Sequence, residues 1–148
     1  MRDSANHIHV AVGVIVNNQN QVLISFRHPD RDEGGLWEFP GGKREPNEAI
    51  ESTLKRELRE ELNVNVLVTS PLMRIKHAYE KKEVLLDVWM ILDFEGKPEG
   101  AEGQLIEWRS LELLKYEDFP KANEQIIRAL QREYHEKSVG PAHIPIST

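Results

Sequence analysis

Three glutamates, Glu57, Glu60 and Glu61, fall within five residues of one another, in a segment whose apolar positions recur every fourth residue (Ile50, Leu54, Leu58, Leu62). At about 100° per residue, Glu57 and Glu61 lie one turn apart with Glu60 beside them, so the three carboxylates project from one end of a helix. Glu61 falls between the angles of Ile50 and Leu54 and interrupts the apolar stripe. An unpaired carboxylate there would cost several kcal/mol or bind a proton, so a positive group is expected beside it. Oxygen-rich clusters of this kind suit Mg²⁺ or Mn²⁺. Such ions neutralise phosphoanhydride oxygens and lower the pKa of a bound water, so the chemistry to look for is hydrolysis of a polyphosphate. Just upstream, Gly41 and Gly42 carry no Cβ and let the backbone approach a ligand or metal closely.

Glutamate runs on helices are more often solvated faces, and Lys55, Arg56 and Arg59 could pair with these at ~0.2–0.5 kcal/mol each. The wider spacing decides between the readings. Gly42, five residues, Glu48, seven residues, Arg56-Glu57-Leu58, one residue, Glu60-Glu61, two residues and Val64 together resemble the Nudix box. Asn63 stands where that family usually has glycine; asparagine is the next best residue at positive φ.

The resemblance implies an α+β fold, an α/β/α sandwich with a mixed sheet flanked by helices, in which the box forms loop, helix and loop. It implies divalent ions, Mg²⁺ with Mn²⁺ as the alternative, held by Glu57, Glu60 and Glu61 with a backbone carbonyl near Gly41 or Gly42. Glu57, Glu60 and Arg56 become the catalytic candidates: Glu57 for positioning or activating water, Arg56 for orienting a box carboxylate. Glu48 would secure the box. Which glutamate is the base differs between family members. Three further stretches, Trp37 to Lys43, Glu102-Gly103-Gln104 with Glu107-Trp108, and Asp118 to Glu124, resemble the MutT-type 8-oxo-dGTP diphosphatases of that family. Carried over by position, Asn123 would read the oxidised purine edge, its amide offering donors and an acceptor. Glu102 would join the metal shell. Arg27, Glu38, Phe39, Pro40, Gly41, Ile8, Val10 and Lys82 would contact the nucleotide; Lys82 stands where arginine is usual and lacks its planar fork. The implied reaction is 8-oxo-dGTP to 8-oxo-dGMP and pyrophosphate. Pyrimidine or mixed triphosphates, or a module that binds nucleotide without cleaving it, are the alternatives.

These side chains need a frame. Alternation predicts a strand over Ile8–Val16, joined through Asn17 to Asn20 in a hairpin to Val22–Phe26. Pro29 to Gly35 reads as loop. The main helix is expected from Pro46 or Asn47 to Leu62, capped by Asn47 and stopped at Asn63. Strands are expected at Val64–Val68, Leu72–His77, Val84–Phe94 and Leu105–Trp108, and a last helix over about Lys121–Glu136 with Ile126, Ile127, Leu130 and Tyr134 inward. The single domain would span 1–137, leaving 138–148 as a flexible tail. The histidines lack metal-ligand spacing and the tryptophans read as packing residues.

Nineteen basic against twenty-five acidic residues among 148 give a net charge of -6, so no general positive field exists to hold a nucleic-acid polymer. No cysteine is present, which excludes disulfides, thiolate zinc sites and thiol nucleophiles. No apolar run approaches a bilayer span and Met1 to Asn6 are polar, so no membrane partner is expected. A monomer in the cytoplasm is the default reading.

Overall fold

The computed structural model describes residues 7–31 and 34–143, with side chains to residue 135. Alternation along β1 (His7–Val14) decides how the layers stack. Val12 and Val14 point to one side; Ala11, and Ile15 just past the strand, point to the other. The first side packs against Ile126, Ile127 and Leu130 of α2 (Glu124–His143), the second against Leu54, Leu58 and Leu62 of α1 (Ile50–Leu62). The strands are thus a septum between two cores, with a helix on each. Leu54, Leu58 and Leu62 are fully buried, worth about 1.5–3 kcal/mol each. Gly13 allows α1 to come close, since a Cβ there would lie 3.2 Å from the Leu58 side chain.

The strands form two sheets. In the larger, β4 (Gly41–Lys43), β1, β6 (Glu83–Glu95) and β5 (Asn65–Ala78) lie in that order, with β1 and β6 parallel and the other pairs antiparallel, so the sheet is mixed as expected. The smaller is antiparallel, in the order β3 (Trp37–Glu38), β2 (Gln21–Phe26), β7 (Ile106–Ser110). The hairpin between β1 and β2 survives only at its tip, where Val16 bridges Val22 and the Asn17 N–H donates to the Gln21 carbonyl at 2.9 Å. Beyond that point the two strands part into different sheets.

Several sequence expectations need correction. Val64–Val68 and Leu72–His77 are one strand, β5, in which Pro71 sits at a register shift of an edge strand, where its missing N–H is tolerated. Strands β3 and β4 fall where no strand was expected, being too short to show a period. Asn47 is not a cap: it has φ 64°, and α1 begins only at Ile50, with no side-chain cap on Ala49. Asn63 does adopt the left-handed conformation, φ 58°, its N–H bonding the Arg59 carbonyl. The last helix starts at Glu124, after a 3-10 turn over Lys121–Asn123, and runs to His143, past the end expected near Glu136. Residues 144–148 lie outside the described residues. Among the described residues no helix is long and apolar enough to cross a membrane.

Candidate active site

Arg56 organises the loop that leads into α1. It grips Glu48 through two parallel bonds, Nε to Oε2 at 2.8 Å and Nη2 to Oε1 at 2.9 Å, and donates from Nη1 to Glu57 Oε2 at 3.0 Å. Glu48 also accepts the Thr53 hydroxyl at 2.7 Å and the Glu45 N–H at 3.0 Å. The guanidinium first, then those two donors, hold the Glu48 carboxyl down at about 2, and Glu48 in turn raises Arg56 above its usual value. This fork-on-carboxylate geometry fixes both partners. Lys55 and Arg59, which could have neutralised the acidic face, form no ion pair among the described residues.

Strand β4 brings two glycines against the helix. Gly41, φ +153°, lies where a Cβ would run into the Ala11 carbonyl, and a Cβ on Gly42 would occupy the space of the Glu57 carboxylate. Only glycine lets β1, β4 and α1 meet this closely. Glu61 faces the same place, accepting the Gly41 N–H at 3.4 Å. Among the described residues no basic side chain pairs with it; its neighbours are Glu57 and Glu102. Burial and then the facing Glu57 push its carboxyl up to about 9 against the pull of the Gly41 N–H, with the charge of Glu102 a smaller addition. Two carboxylates turned toward one another, of which only Glu57 is paired with a cation, Arg56, make with the glycine cradle a donor set that fits a hard divalent ion. As the side chains stand, no three carboxylates among the described residues enclose a point where an ion would sit. Glu60, 52% exposed, turns toward Arg56 at 3.6 Å.

A cavity of about 1290 Å³ opens from this carboxylate end, above the roughly 300–1,000 Å³ common for ligand clefts. Glu61, Glu102, Gly41 and Gly42 form one end. Ile8, Val10, Phe39, Ala122 and Asn123 line it as well, while Arg27, Arg31, Lys43 and Lys82 contribute cations. Phe39 is buried and stacks on Phe119 at 5.3 Å, so it belongs to the core and the wall together. Asn123, at the turn entering α2, makes no side-chain hydrogen bond among the described residues, and its amide is available to a ligand. Arg27 pairs with Glu38 at 3.0 Å across β2 and β3, and both line the cavity.

An acidic helix end, a glycine cradle and a cavity with mixed walls narrow the choice, and sequence comparison completes it. The model of the NUDIX domain family matches residues 11–129. The chain belongs to that family. A protein of Escherichia coli K12 named 8-oxo-dGTP diphosphatase is 38% identical over 125 residues, covering 84% of this chain and 97% of the relative. Another from the same organism, named CTP pyrophosphohydrolase, is 35% identical over 101 residues, 68% of this chain and 75% of its own. A solved structure described as MutT, from Aliivibrio salmonicida and Vibrio cholerae, superposes with a TM-score of 0.73 at 30% identity, covering 84% of this chain and 96% of that one.

Within the Nudix frame most residues singled out from the sequence converge, though not all. Ile8, Val10, Arg27, Glu38, Phe39, Gly41, Gly42, Glu61, Lys82, Glu102 and Asn123 line the cavity. Pro40 does not: it is buried and its carbonyl accepts the Gly13 N–H at 2.8 Å. Arg56, Glu57 and Glu60 are not among the lining residues, though the Glu57 carboxylate lies against Gly42, which is. Sequence reasoning passed over Ser25, Lys43 and Tyr79, which also line the cavity. Of these, Ser25 left a signal, as a hydroxyl in an otherwise apolar strand. A second omission lies on the sheet, where buried Asp87 accepts from His9 Nε2 at 2.9 Å with Arg74 at 3.5 Å. An aspartate inside the apolar run Val84–Phe94 was the mark of it.

Proposed function

We propose that this chain hydrolyses 8-oxo-dGTP to 8-oxo-dGMP and pyrophosphate with Mg²⁺, removing an oxidised nucleotide before it reaches DNA, and that it acts as a monomer in the cytoplasm. The observation that carries the substrate is the placement of the uncommitted Asn123 amide in the same cavity as the Glu61 and Glu102 carboxylates. An amide can donate to one atom of a purine edge and accept from another. The net charge of -6 argues against a nucleic-acid polymer as substrate.

Glu57, Glu60, Glu61 and Glu102, with a carbonyl of Gly41 or Gly42, would hold the ion, for which Mn²⁺ could substitute. When bound, it neutralises phosphate oxygens and makes water more acidic. Arg27, Lys43 and Lys82 orient the triphosphate and its sugar along the cavity. The Glu57 carboxylate, its Oε2 fixed by Arg56, takes the proton from the attacking water. The new oxygen–phosphorus bond forms at the β-phosphorus and the bond to the α–β bridging oxygen breaks, so that oxygen leaves with the monophosphate. The likeness to a relative named CTP pyrophosphohydrolase supports a second reading in which a pyrimidine triphosphate is preferred.

Product analysis over a panel of oxidised and normal triphosphates separates the two readings. The first predicts the highest kcat/KM for 8-oxo-dGTP, and a fall of about tenfold in its preference over dGTP in Asn123→Ala, with metal dependence unchanged. Highest activity on CTP or dCTP would establish the second. Saturable binding without pyrophosphate release would show a binding module instead.

A further inference from the structure

The last carbonyls of an α-helix have no partner within the helix, and what satisfies them is fixed to its end. In this chain the partner is the segment between β6 and β7. The Glu99 N–H donates to the Leu62 carbonyl at 3.1 Å, and the Ala101 N–H to the Glu61 carbonyl at 3.0 Å. Two side chains add to these. Asn63 Nδ2 donates to Glu99 Oε2 at 2.8 Å, and Gln104 Nε2 donates to the same Glu61 carbonyl at 2.9 Å. The other end of the Gln104 amide, Oε1, accepts the Glu102 N–H at 2.9 Å. One side chain therefore runs from the helix residue that faces the cavity to the backbone of Glu102. The strap fits tightly, because a Cβ on Gly100 would collide with the Gln104 carbonyl. The Glu102 carboxylate makes no hydrogen bond or ion pair among the described residues, so its backbone alone sets its place on the cavity wall.

We infer that Asn63 and Gln104 are positioning residues, which latch the strap 99–104 to the end of α1 and so hold Glu102 at the metal and phosphate end of the cavity. The inference rests on the metal-dependent reading above. It also gives a meaning to the departure at Asn63. Glycine would make the same left-handed turn but offer no amide to Glu99, so asparagine keeps the turn and adds a tie. Gln104 suits its place because one amide both donates and accepts. Glutamate there could accept from Glu102 but not donate to Glu61, and would crowd a third carboxylate beside two.

The test is Mn²⁺ binding to the metal-free full chain, followed by loss of the electron paramagnetic signal of the free ion, with thermal melting as a check on folding. Gln104→Ala should weaken binding about tenfold, as losing the support of a metal ligand commonly does. Asn63→Gly should weaken it on the order of threefold, removing one exposed hydrogen bond while keeping the turn. Glu102→Gln should match Gln104→Ala, and Gln104→Ala should then have no further effect in the Glu102→Gln background. Gln104→Met, of similar size, replaces the alanine variant should the latter not fold. Normal Mn²⁺ affinity in Gln104→Ala while Glu102→Gln is impaired overturns the latch. So does a Gln104→Ala effect that persists undiminished without the Glu102 charge. Absence of Mn²⁺ binding by the unaltered chain is a different failure, which removes the metal-dependent reading on which the latch depends.

Discussion

The two ends of α1 use the same residue type for opposite purposes. Before its first turn, Glu48 is saturated: a guanidinium fork, a hydroxyl and a backbone N–H complete its oxygens, and its carboxyl is held down at about 2. At its last turn, Glu61 has one long contact to a backbone N–H and two carboxylates for company, and its carboxyl is pushed up to about 9. The first is a finished joint; at the second, folding brings carboxylates together and gives Glu57 a counter-charge in Arg56 but, among the described residues, none to Glu61. Completeness thus separates a structural acidic cluster from one built to receive a ligand. Arg56 spans the two regions, bonded to Glu48 on one side and to Glu57 on the other.

If the comparison is right, the largest effect comes from the incomplete end. Glu57→Gln removes the proposed proton acceptor, which Arg56 holds in place, yet leaves an amide of the same shape against Gly42. Turnover should fall by about 10²–10⁴, with the melting temperature and circular dichroism spectrum near those of the unaltered chain. Near-normal turnover would show that the carboxylates at this end are as structural as Glu48.

Glu57 shows how far the sequence could be read. The box spacing located it, and the fourfold apolar repeat named Leu54, Leu58 and Leu62 as the buried face. Both are local signals, repeated within one helix. What escaped depended on chain segments far apart: the parting of β1 and β2 into two sheets and the fusion of β5 across Pro71. Glu61 was legible as an anomaly in the stripe. What stands beside it was not legible, because Gly41 and Glu102 are far from it in sequence, and neither they nor Glu57 bring a cation to it. Gln104 carried no signal of its own, since its two bonds exist only once the strap lies across the helix end.

A smaller effect, on stability, should come from the finished end. Glu48→Gln keeps acceptors for Thr53 and Glu45 but removes the charge that pairs with Arg56. The melting temperature at pH 7 should drop by several degrees. Because folding lowers this carboxyl from 4.5 to about 2, its stabilising contribution is complete above pH 4.5 and disappears as pH falls through about 2. The gap between variant and unaltered chain should therefore close across that window. A gap that stays constant down to pH 2 would mean that shape, and not charge, makes the joint.

The smallest effect is the one that sharpens the contrast most, because its sign is reversed. Folding raises the Glu61 carboxyl from 4.5 to about 9, so the ionised form is the one the fold disfavours. Below pH 4.5 this group is protonated folded or unfolded and costs nothing. Between those values the unfolded chain ionises while the folded chain resists, and stability falls as pH rises. Glu61→Gln removes the titration, so the metal-free variant should melt at the same temperature as the unaltered chain near pH 4 and a few degrees higher near pH 8. Millimolar Mg²⁺ should reverse the order at pH 8, since an ion that binds the folded state stabilises the chain that still carries the carboxylate. If Glu61→Gln lowers the melting temperature at pH 8 without metal, Glu61 is a satisfied residue like Glu48, and the distinction between the two ends of the helix is lost.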